Sequence, residues 1–385
     1  MATTVGVIGA GIVGIAHAWR EAARGARVTL FERGERAEGA SVRNFGMVWP
    51  IGQPTESLSA ALLSRDLWLE FIDASGVWSN QRGSIHAAHR NDEWRVLQEF
   101  AAEAPNQGYR VRLVNPDEAI ALCPGLSPDG LLGGLFSETE IGIDPRQVVR
   151  IAPHWLADRH GVQLEFGVTI RDVAGPTVAA ADGRRWSFDR VVVAAGADLA
   201  RLYPELAAAN RIERCKLQML RTEPQPSGWQ LGPMVASGLT LRHYRTFEKL
   251  PGADALRQRI SNETPELDRY GIHVMAAQNG EGEIVLGDSH EYAEDITPFD
   301  SETINDLMLR ELHKILRLPS WTLSSRWHGV YAIQPNRGLQ FVAEPEPGVT
   351  VCVATGGCGM TMSFGLAEQM ISGCSQAAAT AAPST

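Results

Sequence analysis

The sequence has few cysteines, no long apolar run and no excess of basic charge, and each absence excludes a class of protein. Its five cysteines, Cys123, Cys215, Cys352, Cys358 and Cys374, are odd in number, scattered and without a Cys-x-x-Cys pair. That pattern argues against a disulfide framework and a cysteine zinc site, and a reducing, cytoplasmic setting is expected. The apolar run Val5 to Ala16 is too short to span a bilayer, holds four glycines and has no basic segment ahead of it. Neither a signal peptide nor a membrane anchor is expected from it. Lys and Arg number 35 against 45 Asp and Glu, a formal net charge of −10, so nucleic acid is not an expected partner. No Gly-x-Ser-x-Gly elbow occurs, and the adjacent Asp288, Ser289 and His290 cannot fold onto one another as a hydrolytic triad. No internal repeat is present.

What the chain does have is size and apolar content. With 385 residues, 44% of them hydrophobic, it can bury a substantial core in two or three units. The segment 376–385, made of Gln, Ala, Thr, Ser and Pro, is expected to be a disordered tail.

Val5-Gly-Val-Ile-Gly-Ala-Gly-Ile-Val-Gly14 reads as a buried strand that breaks at Gly9, Gly11 and Gly14 into a helix running to about Arg24, where Gly25 ends it. Gly9 permits a tight turn, Gly11 lets backbone approach a pyrophosphate, and Gly14 allows close packing of helix on strand. Ala26 to Phe31 supplies a second strand, and Glu32 at its end lies 23 residues beyond Gly9. A carboxylate there accepts both hydroxyls of an adenosine ribose and repels a 2′-phosphate. The pattern points to NAD or FAD and away from NADP.

Two later segments favour FAD. Arg190 to Ala195 is a β-branched run closing in Ala194-Ala195-Gly196, and Val349 to Ala354 runs into Thr355-Gly-Gly-Cys-Gly-Met-Thr-Met, a second glycine turn opening a helix. A nucleotide domain gathered from both ends of the chain and a middle segment suits a long cofactor, whereas NAD needs one contiguous block.

Together, Gly9-x-Gly11-x-x-Gly14 with Glu32, Ala194-Ala195-Gly196 and Gly356-Gly357-x-Gly359 resemble the D-amino acid oxidase, glycine oxidase and sarcosine oxidase family of FAD enzymes, over nearly the whole chain. The resemblance implies an α/β (α+β) fold with a GR2-type, Rossmann-like FAD-binding domain interleaved with an antiparallel-sheet substrate domain. The FAD-binding domain is expected at 1–80, 140–215 and 335–375, and the substrate domain at 81–139 and 216–334. Expected FAD contacts are Gly9, Gly11, Ile12, Val13, Gly14, Glu32, Arg33, Ser41, Arg43, Asn44, Val168, Ala195, Gly196, Gly356, Gly357, Gly359, Met360 and Thr361. Some sarcosine oxidase relatives tether flavin through a cysteine on the strand that returns to the ring. The corresponding Trp327 to Gln334 has none, so FAD is expected to be non-covalent. Within the family, Gly39 to Gln53, Gly271-Ile-His-Val-Met with Gln278, and Gly287-Asp-Ser-His-Glu-Tyr292 are similar to the aminophosphonate-oxidising flavoenzymes.

That similarity implies oxidation of the C–N bond of an N-methylated or hydroxylated 2-aminoethylphosphonate to an aldehyde and an amine, with hydride transfer to flavin and O2 as the terminal oxidant. A phosphonate carries up to two charges and three acceptor oxygens, so its anchor should combine guanidinium with neutral donors. The candidates are Trp49, Gln53, Arg242, His243, His273, Gln278, Ser289, His290, Tyr292, Arg326, Tyr331 and Arg337. Trp49 and His273 fit a pocket wall or a core equally, and Arg337 fits a solvated charge. His86 and His89, three apart in a polar stretch, read as solvent exposed, and no metal site is expected. Asp144-Pro145 reads as a helix cap. Two other readings stand beside the aminophosphonate one: a glycine, sarcosine or D-amino acid oxidase, and a flavin-binding subunit or electron carrier without amine chemistry. Oligomerisation is left open.

Overall fold

In the computed structural model, residues 2–293, 296–334 and 338–373 are described. The chain divides into two compact units, one of residues 1–42, 149–213 and 331–385, the other of 43–148 and 214–330.

The first unit is built on a six-stranded sheet in the order Gln340–Glu346, Val349–Ala354, Arg190–Val193, β1 (Thr4–Ile8), β2 (Arg27–Glu32), Gln163–Phe166. The five strands from Val349–Ala354 onward are parallel, and only the edge strand Gln340–Glu346 runs antiparallel. Parallel strands covered on both faces are near-continuously apolar, as in Val5–Ile8 of β1 and Val191–Val193. Between β1 and β2 lies helix α1 (Ile12–Ala23), whose Trp19 ring packs edge-on against Phe364 at 5.2 Å and Trp155 at 6.1 Å. The polar side of α1 is tied to the C-terminal helix Gly359–Ile371, with Arg20 and Arg24 each reaching Glu368, at 2.7 and 2.6 Å.

The second unit carries a nine-stranded sheet. One half is antiparallel: Glu291–Ala293, Glu213–Thr222, Ile284–Gly287, Met275–Gln278, Met234–Ser237, with Leu323–Ile333 also paired to Glu213–Thr222. The other half, Ser84–Ala88, Gly133–Ser137, Val111–Val114, is antiparallel as well. Where the halves meet, Met234–Ser237 and Ser84–Ala88 run parallel, so the sheet is mixed. Its core gathers Ile85, Leu135, Leu220, Val235 and Leu286 from strands with Val96, Leu97, Phe100, Leu256, Met308 and Leu312 from helices.

The boundaries differ from the sequence expectation at 43–80 and 140–148, which cluster with the second unit. The reason is pairing and burial: Met47–Val48 and Ser79–Asn80 flank Ile141–Ile143 in a three-stranded sheet, and Met47, Trp49, Ile51 and Leu58 enter the second unit's core. His86 is also corrected. It lies fully buried on strand Ser84–Ala88, its ring 5.5 Å from Trp49 and 5.3 Å from Phe247, and burial pushes it down to about 3. His89 is partly buried, with Nε2 3.2 Å from the Ser127 carbonyl. The polar look of this stretch misleads because the strand is covered on both faces. Asp144 caps helix Pro145–His160, accepting the Arg146 N–H at 2.9 Å and the Gln147 N–H at 3.3 Å. Among the described residues no helix is long and apolar enough to cross a membrane.

The Glu368 pairing gives a testable stability term. Burial disfavours the charge, but the Arg24 and Arg20 guanidiniums outweigh it and hold the carboxyl below the usual glutamate range. A lowered native pKa contributes stability at neutral pH that is lost as pH falls through it. Glu368→Gln is therefore expected to cost about 1 kcal/mol at pH 7, and circular-dichroism melts should show the gap closing once the pH drops below the ordinary glutamate range.

Candidate functional site

The carboxyl ends of the parallel strands in the first unit bring its three glycine-rich segments together. The Gly9 N–H donates to Phe31 O at 2.8 Å and the Ala194 N–H to Ile8 O at 2.8 Å, so β1 ends between β2 and the Ala194–Gly196 turn. Gly9 has φ +101°, and a Cβ there would stand 2.5 Å from the Ala194 carbonyl oxygen. At Gly14 a Cβ would stand 1.8 Å from the Gly9 carbonyl oxygen, so only glycine lets α1 sit this close to the turn. The first intrahelical bond of α1 runs from the Ile15 N–H to Gly11 O, leaving the N–H groups of Val13 and Gly14 directed out of the helix end. The Ile12 N–H donates to Ser41 Oγ at 2.9 Å.

Glu32 is buried at the end of β2, its carboxylate accepting the Ala10 N–H at 3.0 Å and the Gly34 N–H at 3.2 Å. Val168, also buried, donates its N–H to Glu32 O at 3.0 Å. Arg33 points outward and pairs with Asp198 at 2.8 Å, close to Gly196 in sequence. On the other side, Gly356 donates to Ala332 O at 3.0 Å, Gly357 faces the Tyr331 ring, and Gly359, Met360 and Thr361 begin the helix Gly359–Ile371. Cys358 directs its thiol to the Leu339 and Thr355 carbonyls at 2.9 and 3.0 Å, and burial pushes it up to about 12, so it is a packed thiol. Two helix N-termini, a buried carboxylate and glycine-lined backbone fit an adenine dinucleotide. Arg43 and Asn44 belong to the second unit, where Arg43 donates to His328 O at 3.2 Å and Asn44 Oδ1 accepts the Gly46 N–H at 2.8 Å.

In the second unit several candidate side chains are engaged structurally. Gln278 holds a hairpin, accepting the Leu231 N–H at 2.8 Å and donating to Gly282 O at 3.2 Å. Ser289 Oγ accepts the Gln218 N–H at 3.1 Å. Trp49 and Gln53 are buried in the core, Gln53 donating to Trp49 O at 3.2 Å and accepting the Tyr109 hydroxyl at its own carbonyl at 2.7 Å. Arg326 is half exposed and 3.8 Å from Glu302, and Tyr292 is 56% exposed. Tyr331 lies in the first unit. Arg337 lies outside the described residues.

Four candidates do converge. The segments Gly271–Met275 and Gly287–Tyr292 bond to each other, the His273 N–H donating to Asp288 O at 3.2 Å and the Asp288 N–H to His273 O at 3.0 Å. This places His273 and His290 side by side with ring centroids 4.9 Å apart, and His243 joins them at 3.9 and 4.5 Å. Arg242 lies beside the cluster, donating to Asp268 at 3.1 Å and to Ile272 O at 3.1 Å. Arg242, His243, Arg257, Ser261, Asp268 and His273 line a cavity of about 290 Å³ together with Gly271 and Ile272. Burial, then the neighbouring His243, His290 and Arg242, hold His273 well below the usual histidine range. Burial brings His290 down to about 4 and pushes Asp288 well up. Sequence reading missed Arg257, Ser261 and Asp268. The available signal was the four-residue spacing of Arg257 and Ser261, which sets them on one face of helix Ala253–Glu263.

Strands ending in glycine turns that feed helices, with a buried acid at the second strand, define a dinucleotide-binding oxidoreductase fold. Residues 4–372 match the DAO family, described as FAD dependent oxidoreductase, and the chain belongs to that family. It is thus an FAD-dependent enzyme. It is similar to one subunit of the opine oxidase of Rhizobium meliloti, 25% identical over 249 residues, which cover 60% of this chain and 66% of the relative, just under two thirds. Among solved structures it is similar to glycine oxidase from Geobacillus kaustophilus, 18% identical, TM-score 0.75, covering 98% of this chain and 96% of that one. It is also similar to L-alpha-glycerophosphate oxidase from Mycoplasma pneumoniae with FAD bound, 16% identical, TM-score 0.74, covering 96% of this chain and 94% of that one. At these identities the structural likeness establishes the fold, which agrees with the α/β architecture expected from the sequence.

The two inner glycines separate folding from cofactor affinity. Gly14→Ala is expected to lose about 1–3 kcal/mol of stability through overpacking. Gly11→Ala, whose Cβ meets only Ser41 Oγ at 3.1 Å, should stay folded and bind FAD about tenfold more weakly. Thermal melts and FAD titration of the apoprotein distinguish these effects.

Proposed function

We propose that the protein oxidises the C–N bond of a small aminophosphonate, an N-methylated or hydroxylated relative of 2-aminoethylphosphonate, to an aldehyde and an amine. The observation that carries this reading is the pairing of two sequence segments similar to aminophosphonate-oxidising flavoenzymes, Gly271–Met275 and Gly287–Tyr292, the first of which lines a cavity with Arg242, His243, Arg257 and Ser261. Gly9 to Gly14, Glu32, Ser41, Val168, Ala195, Gly196 and Gly356 to Thr361 are proposed to hold FAD without a covalent bond. When bound, FAD accepts two electrons with the substrate's α-hydrogen.

The chain's own part is to bind and orient. A carboxylate is satisfied by one bidentate guanidinium, whereas three phosphonate oxygens need several donors. Asp268 takes Arg242 Nε and the Ser261 hydroxyl, Ile272 O takes one further Arg242 N–H, and Asp254 and Glu248 O take Arg257, so the donors left for an anion are the remaining guanidinium N–H groups of Arg242 and Arg257. Burial holds His273, which lines the cavity, well below the usual histidine range, so it adds no positive charge there.

The test is anaerobic bleaching of the visible flavin band on adding, separately, 2-aminoethylphosphonate, its N-methyl and 1-hydroxy derivatives, glycine, sarcosine and D-alanine. Fast bleaching by an aminophosphonate alone is the expected result. Bleaching by an amino acid alone would replace the substrate class, and no bleaching by any amine would favour a flavin-binding subunit without amine chemistry. Acid precipitation should release FAD into the supernatant.

A further inference from the structure

His243, His273 and His290 come from three separate segments, yet one ring nitrogen of each lies within 4.8 Å of the other two. His290 Nδ1 lies 3.1 Å from Gly271 O, a contact that fixes Nδ1 as the N–H and makes Nε2 the nitrogen able to ligate. His273 is 3% exposed, and neither of its ring nitrogens has a hydrogen-bond partner. Asp288 Oδ1, also buried without a hydrogen bond, lies 3.6 Å from His273 Nε2, and its Oδ2 lies 3.9 Å from His290 Nε2. Buried polar groups are ordinarily hydrogen-bonded, so the His273 ring and Asp288 Oδ1, buried without hydrogen bonds beside two further imidazoles, call for an occupant.

We propose that these four side chains bind one divalent transition-metal ion, with three imidazole nitrogens and the Asp288 carboxylate as ligands. Imidazole with a single carboxylate selects zinc, nickel or copper over calcium or magnesium. Donors around tetrahedral zinc stand roughly 3.3 Å apart, so a small inward turn of the rings completes the site. The cationic group facing the cluster is Arg242, and its charge is set against Asp268 at 3.1 Å, while Asp288 offsets part of the ion's own. Tyr244, 5.9 Å from His273 between ring centroids, directs its hydroxyl to Met275 Sδ at 3.4 Å and competes for none of the ligands. His243 and His273 also line the cavity, so the ion sits in its wall. This inference does not depend on which amine is oxidised.

The test uses the purified flavoprotein, stripped with dipicolinate and titrated with zinc chloride by calorimetry, with bound metal counted by plasma mass spectrometry. One zinc per chain is expected, lost in His273→Gln and His290→Gln and weakened roughly 10- to 100-fold in Asp288→Asn. His154→Gln, on an exposed position of helix Pro145–His160, should keep it. Flavin content and far-ultraviolet circular dichroism report folding of each variant, and the wild-type titration decides alone if a variant misfolds. No stoichiometric zinc in the wild type, or equal zinc in both folded histidine variants, would falsify the site. Zinc uptake without bleaching by any aminophosphonate supports the metal and removes the substrate reading. Bleaching without zinc uptake overturns the metal and leaves the substrate reading.

Discussion

The contact on which the first unit depends is the approach of α1 to the Gly9 carbonyl. A methyl group at Gly14 would lie inside the van der Waals radius of that oxygen, so the helix can reach the sheet only while residue 14 has no side chain. Once it does, β1 ends where Glu32, Ala194 and the start of α1 meet, and the Glu32 carboxylate bonds back to the Ala10 and Gly34 amides. The acid proposed to address a ribose is thereby held by the same turn proposed to address the pyrophosphate. The far end of α1 is fixed by Arg20 and Arg24 on Glu368, which couples this helix to the one that begins at the second glycine turn.

The second unit solves a different problem, that of keeping charged and polar groups inside an apolar sheet. Around His273 the backbone pairs reciprocally with Asp288, satisfying the main chain while leaving the side chains clustered. Elsewhere a buried carboxylate is paired: Glu283 takes Arg221 at 3.0 Å and Arg146 at 3.2 Å, with Asn279 donating at 2.8 Å. In the histidine cluster, by contrast, the His273 ring and Asp288 Oδ1 are buried without hydrogen bonds.

The cofactor half of the protein was legible because its signal is local. Turn, helix, strand and acid follow one another within a few dozen residues, and glycine spacing carries the geometry directly. The histidine cluster was only half legible. Each histidine could be named as a candidate, but His243, His273 and His290 are brought together by strand order, which no spacing reveals. The place of 43–80 was misread because short strands such as Met47–Val48 and Ser79–Asn80 are recognisable only through their partner Ile141–Ile143. His86 was misread because polar neighbours in sequence are not neighbours in space.

The strand order of the first unit also governs how the chain can be made. Val349–Ala354 is not an edge but an interior strand, bonded to Arg190–Val193 on one side and Gln340–Glu346 on the other. During synthesis on the ribosome, β1 and β2 emerge first and must wait for Arg190–Val193, and the sheet stays open along that strand until the final helix-bearing segment follows. Such distant partners make closure slow. The nucleotide-binding unit therefore completes only when nearly the whole chain has emerged, and a polypeptide released short of Val349 would keep an unsatisfied strand edge of the kind that chaperones bind and aggregates recruit.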